Sequence, residues 1–301
     1  MNWMIPSLIA IGIATGPVIA KIQLTWLRRT TGWLVLVAII AAAAHNLTGY
    51  DPILRMVGIC SVLLGAMKGL VYAEWHNDRH QLSITRYLLF SFCWFGMDPG
   101  SFQTRRENLS WIPDIKIGLL LMLAGTIGAW VVWKLQWHQI LVMFIPLSIG
   151  FHFGALRVLK GCLRAAGFPV RTLFPNVLEA NGLGEFWSHK WNTGYSQMMQ
   201  RTVGRPITRI ANSNTGLLAI FIISGLLHEL AITLPVQAGY GLPTAYFTAH
   251  GLLTLVERKW KHPIGKLPTL MLVAIPLGIL FPPAFQEEII QRCLQVFELA
   301  S

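Results

Sequence analysis

Two clusters of residues stand out for the chemistry they could do. The first is Ser224-Gly225-Leu226-Leu227-His228-Glu229-Leu230, set in an otherwise apolar run. An ionisable side chain at membrane depth costs about 2.5–3.5 kcal/mol on insertion scales, so it marks a functional candidate. His228 follows Ser224 by four residues and Gly225 by three, which puts all three on one face of a helix. Gly225 allows a backbone or ligand close to that face. A neutral imidazole can take a proton from an alcohol as it attacks a carbonyl, and such help contributes about 10²–10⁴ in rate. Packing against a neighbouring helix is the alternative role for His228. Glu229 lies about 100° further round the helix and is not assigned as its orienting partner.

The second cluster is Leu183-Gly184-Glu185-Phe186-Trp187-Ser188-His189-Lys190-Trp191-Asn192. Its aromatics can line an amphipathic ligand, and Asn192 can both donate and accept hydrogen bonds. An interfacial helix with tryptophans at head-group level explains the same composition.

Both clusters must be held by a membrane protein. Of the 301 residues, 54% are hydrophobic and 12% charged, where a soluble domain has about a quarter charged. A bilayer crossing takes about 20 mostly apolar residues. The runs 4–20, 31–45, 53–72, 117–133, 139–156, 211–234, 240–256 and 267–283 are candidates. The expected fold is thus all-α: a polytopic bundle of about eight spans forming a single membrane-embedded domain over 1–301. The first run lacks a basic region before its apolar core and reads as a retained span rather than a cleaved signal. The 13-residue run 84–96 is too short to cross and reads as re-entrant or interfacial.

The net charge of +11 is explained by cytoplasmic loops rather than by nucleic acid. Basic residues gather at Lys21, Arg28 and Arg29, then Arg79 and Arg86, then Arg105, Arg106 and Lys116. The largest group runs through Arg157, Lys160, Arg164, Arg171, Lys190, Arg201, Arg205 and Arg209, and the last is Arg258, Lys259, Lys261 and Lys266. Eight spans with both termini outside put 20 of the 24 Lys and Arg on the cytoplasmic side. The polar stretch 157–210 reads as a long cytoplasmic or re-entrant segment, and loops of that length tend to be functional.

Other signals are weaker. Cys60, Cys93, Cys162 and Cys293 are scattered singly and carry no assigned role. A zinc-protease HExxH fails at Ile232, where a second histidine is required. His76 and His80 are one turn apart but are assigned an interfacial structural role, and His250 a packing role. Asp98 in Gly96-Met97-Asp98-Pro99-Gly100 reads as a turn residue. Pro276 and Pro282-Pro283 are expected to kink and end the last span.

The two clusters in order, FW-x3-WN and about thirty-five residues later SG-x2-HE, resemble the membrane-bound O-acyltransferase superfamily, closest to its wax synthase-like branch. The resemblance covers roughly residues 180–232. It implies that His228 is catalytic, that Asn192 matches the family's polar partner, and that the aromatic segment helps hold acyl-CoA. Lys190 stands where that branch commonly has arginine, which keeps the charge but loses bidentate phosphate binding. The resemblance further implies transfer of an acyl group from acyl-CoA, as co-substrate without another cofactor or metal, to the hydroxyl of a long-chain alcohol or other lipid-like acceptor. Phe186, Trp187, Lys190, Trp191, Ser224, Arg201 and Arg205 are the candidate substrate-binding residues. The setting is a multi-pass protein of a bacterial inner membrane or endoplasmic reticulum. A proton-coupled lipid or small-molecule transporter using His228 and Glu229 is the alternative.

Overall fold

The computed structural model describes residues 3–77, 80–137, 139–260 and 262–294. Asp78 and, from the basic groups above, Arg79 and Lys261 lie outside them. Among the described residues the architecture is a helix bundle whose only β contact is the isolated bridge Asn77–His80.

Each of the eight expected spans is helical. Among the described residues, five helices are long and apolar enough to cross a bilayer: α2 (Thr25–Asn46), α3 (Pro52–Trp75), α5 (Ile112–Lys134), α6 (Val142–Ala165) and α10 (Ser213–Val236). The first, α1 (Met4–Ala20), has 17 residues, and α11 (Leu242–Glu257) has 16. The last is broken into α12 (Lys266–Leu280) and α13 (Pro283–Leu294), bent by 83°. The break falls at Pro282-Pro283, where proline cannot continue the backbone ladder.

Between them lie short elements: α4 (Ile84–Phe92), α7 (Leu183–Glu185), α8 (Thr193–Met199) and α9 (Arg205–Ile210). At nine residues α4 is about 14 Å long, half the hydrocarbon thickness of a bilayer. Hydrogen bonds moor it to its neighbours. Tyr87 Oη donates to the Ile13 carbonyl at 2.6 Å, and Lys68 Nζ donates to the carbonyls of Phe90 and Gly96 at 2.9 and 2.6 Å.

The central helix is α3. Small residues let α1 lie against it: a Cβ on Gly12 would stand 2.9 Å from the Ala66 nitrogen, and one on Gly16 2.8 Å from Gly69 Cα. Close backbone approach of this kind is how helices gain packing contact where lipid supplies no hydrophobic drive. The hydrophobic core also joins α3 to the 157–210 stretch. Phe168, Val170, Leu173, Phe174, Leu183, Phe186, Met198 and Met199 are all buried, most of them in one cluster with Ile59, Val62 and Leu70 of α3. The stretch is therefore folded into the bundle. Irregular backbone at that depth must satisfy its own polar groups. Here Glu257, at the end of α11, accepts from the Leu183 and Gly184 N–H groups at 3.0 and 2.8 Å, and the Leu173 carbonyl accepts from Thr193 N–H at 2.9 Å.

Candidate functional site

His228 closes the regular part of α10, just before a wide π turn over Glu229–Thr233. Such turns interrupt the ladder and recur at functional positions. The ring is oriented from within its own helix: Nδ1 lies 2.6 Å from the Ser224 carbonyl oxygen. A carbonyl can only accept, so Nδ1 carries the proton and Nε2 presents a lone pair. Phe247 of α11 packs on the imidazole at 4.2 Å between ring centres, and Tyr195 of α8 stands nearly edge-on at 6.0 Å and 81°.

Gly225 brings α11 close. A Cβ there would stand 2.6 Å from Thr244 Cα, as the sequence expectation of a close approach requires. Glu229 faces that same contact and not the histidine. Its carboxylate accepts from the Thr244 N–H and hydroxyl at 3.0 and 2.9 Å and from the Thr233 hydroxyl at 2.6 Å. A carboxylate beside the first turn of α11 also complements that helix's dipole. The acidic half of the SG-x2-HE motif is thereby engaged in joining two helices.

His228 opens onto a cavity of about 720 Å³, within the usual range for ligand sites. The same cavity is lined by Asn192, Trp187, Trp191, Ser224, Arg201 and Arg205. The folded-in stretch thus brings Asn192, far away in sequence, to the same cavity that His228 lines. Leu63, Leu217, Ile220, Phe221, Leu227 and Ala231 supply apolar lining. Arg171, Arg205 and Arg258 are exposed and form a cationic rim, with Arg201 more enclosed.

Asn192 adopts left-handed backbone angles (φ 42°, ψ 61°), a region asparagine tolerates better than most residues. Its Oδ1 caps α8 by accepting from the Tyr195 N–H at 3.2 Å. A backbone N–H can only donate, so the amide orientation is fixed and Nδ2 is left as a donor.

Two candidate binding residues stand away from the cavity wall. Phe186 is buried and stacks on Trp191 at 5.8 Å and 11°, which makes it a support for the lining tryptophan. Lys190 pairs with Glu185 at 3.4 Å. The Asn181 N–H, and after it Lys190, holds the Glu185 carboxyl below its ordinary pKa.

Sequence reasoning did not single out Tyr195, Arg171, Arg258, Gln200 or Phe247, all of which line the cavity. Arg171 and Arg258 stood out only as members of the basic groups, and Tyr195 only by sitting three residues after Asn192, a residue type that caps helices. Asp98 borders the cavity while also making its turn, accepting from Gly100 N–H and the Ser101 hydroxyl. His250 is enclosed, with its ring nitrogens 2.8 Å from the Tyr246 carbonyl and 3.3 Å from that of Leu272.

Residues 170–248, which contain both motifs, match the sequence model of the membrane bound O-acyl transferase family. The chain is 26% identical over 156 residues to a protein named "Probable long-chain-alcohol O-fatty-acyltransferase 2" of Arabidopsis thaliana, covering 44% of this chain and 46% of that one. It is 27% identical over 179 residues to the protein numbered 1 in that series from the same plant, covering 52% and 51%. The chain spans about half the length of the curated relatives it matches. Motifs, family match and relatives agree: this integral, multi-pass membrane chain resembles the membrane-bound O-acyltransferase superfamily and, within it, the wax synthase-like branch.

Proposed function

We propose that this chain transfers an acyl group from acyl-CoA to the hydroxyl of a long-chain alcohol or another lipid-like acceptor, with His228 as general base. One observation carries the reading. The imidazole is held by Nδ1 and presents Nε2 to a cavity with a cationic rim and apolar lining. That division of surface suits an acyl-CoA. The rim arginines can meet its phosphates by charge-assisted hydrogen bonds. The acyl chain gains about 0.8 kcal/mol per buried methylene along the apolar wall. The acceptor alcohol reaches the site from the lipid, and Nε2 removes its proton as oxygen attacks the thioester carbon. No metal or acyl-enzyme enters this scheme. Glu229, the second group a proton-coupled transporter would use, is engaged with Thr233 and Thr244 instead of lining the cavity.

The test is CoA release by purified protein in detergent, with short- and long-chain acyl-CoAs and a panel of alcohols. Turnover that disappears in a folded His228→Ala variant is the expected result. Absence of turnover with every donor, from folded wild-type protein, would sink the reading.

A further inference from the structure

Acyl transfer develops negative charge on the carbonyl oxygen, and that oxygen needs a preorganised donor. Three residues lining the cavity each carry a buried donor atom without a hydrogen bond among the described residues: Trp187 Nε1, Tyr195 Oη and Arg201 Nη1. The His228 ring, in contrast, offers an acceptor. A wall with spare donors is complementary to a ligand rich in acceptor oxygens.

Of the three donors, Tyr195 is the one in ring contact with the base, edge-on to His228. The Ser224 hydroxyl stands beside its Oη, near enough to interact with it but outside strict hydrogen-bond geometry. Ser224 is also the residue whose carbonyl holds the His228 Nδ1 proton. Trp187 packs instead on Phe247 and His250. Tyr195 is in turn set by Asn192, whose side chain caps the helix at the Tyr195 N–H itself.

We propose that Tyr195 Oη is the oxyanion donor of the acyl transfer, and that Asn192 acts through it as the positioning cap. This rests on the acyl-transfer reading above. His228 Nε2 takes the alcohol proton, and the alcohol oxygen forms a bond to the thioester carbon. The carbonyl π pair moves onto oxygen, where the Tyr195 O–H donates to it. Return of that pair breaks the C–S bond, and the proton on Nε2 passes to the leaving sulfur. Ester and CoA thiol result, with imidazole and phenol unchanged.

The test uses the full chain in detergent with palmitoyl-CoA and hexadecanol, or whichever pair wild type turns over best. Tyr195→Phe is expected to lower kcat by about 10²–10³, with KM within about threefold. Its thermal stability should hold or rise, because the substitution removes a buried unpaired hydroxyl. Asn192→Gly keeps the left-handed backbone and most of the capping preference but has no amide. It should retain kcat within about tenfold of wild type, while Asn192→Ala falls towards the level of Tyr195→Phe. Tyr195→Phe with wild-type kcat, beside an inactive His228→Ala, would overturn the oxyanion role and leave acyl transfer standing. Asn192→Gly as slow as Asn192→Ala, or Asn192→Ala as fast as wild type, would overturn the positioning role. Wild type inactive with every acyl-CoA would instead remove the reading on which both rest.

Discussion

Two regions of this molecule bury an ionisable side chain at membrane depth and treat it in opposite ways. In the amino-terminal bundle, Lys68 of α3 is fully enclosed; its ammonium meets the carbonyls of Phe90 and Gly96 and lies 3.9 Å from the centre of the Phe90 ring. Phe90 is in the last turn of α4, where carbonyls lack intrahelical partners and a cation is favoured. Arg55 follows the same pattern, donating to the carbonyls of Leu47, Thr48, Tyr50 and Pro235. Around His228 the accounting is left open: one ring nitrogen is bonded, the other faces a cavity. Saturation of a buried polar group marks a structural fastening, since an unmet group is costly. A half-met group beside a cavity marks a place where chemistry can occur.

Substitutions at the two positions should therefore dissociate. His228→Ala is expected to cost at least about 10²–10⁴ in kcat with little change in melting temperature, read by CoA release and thermal unfolding on one preparation. Lys68→Met should do the reverse. It strands two buried carbonyls, each costing about 1–3 kcal/mol, so melting temperature falls while residual folded protein keeps its KM. A destabilised His228→Ala that binds acyl-CoA poorly would erase the contrast.

Within the half that carries His228, a smaller contrast separates cations that line the cavity from those that do not. Arg201→Ala should raise the KM for acyl-CoA by roughly tenfold or more, because a hydrogen bond to a charged group contributes about 1.5–3 kcal/mol. Lys190→Ala should change it only a few-fold, since a partly exposed pair such as Lys190–Glu185 contributes about 0–1 kcal/mol. Steady-state kinetics on both variants checks the ranking, and equal effects would place Lys190 at the ligand after all. Between these lies Gly225→Val. Its Cβ meets the Thr244 backbone, an overpacking cost of about 1–3 kcal/mol, visible as lowered melting temperature.

The sequence by itself determined the membrane setting, the helical character of all eight apolar runs and the shortness of the stretch containing α4. Length and apolarity are local properties, so they survive without knowledge of the fold. It also marked His228, because an ionisable group in an apolar run is conspicuous wherever the run ends up. Tertiary structure decided the rest. A polar stretch such as 157–210 has no local feature that says whether it lies outside the membrane or folds inward. Its placement depends on distant groups, such as Glu257 holding the Leu183 and Gly184 N–H groups. The division of labour within each motif was equally invisible: that Glu229 fastens α10 to α11, that Phe186 backs Trp191, and that Asn192 caps the helix carrying Tyr195. Spacing along a chain fixes which residues share a helix face, but only packing fixes what that face meets.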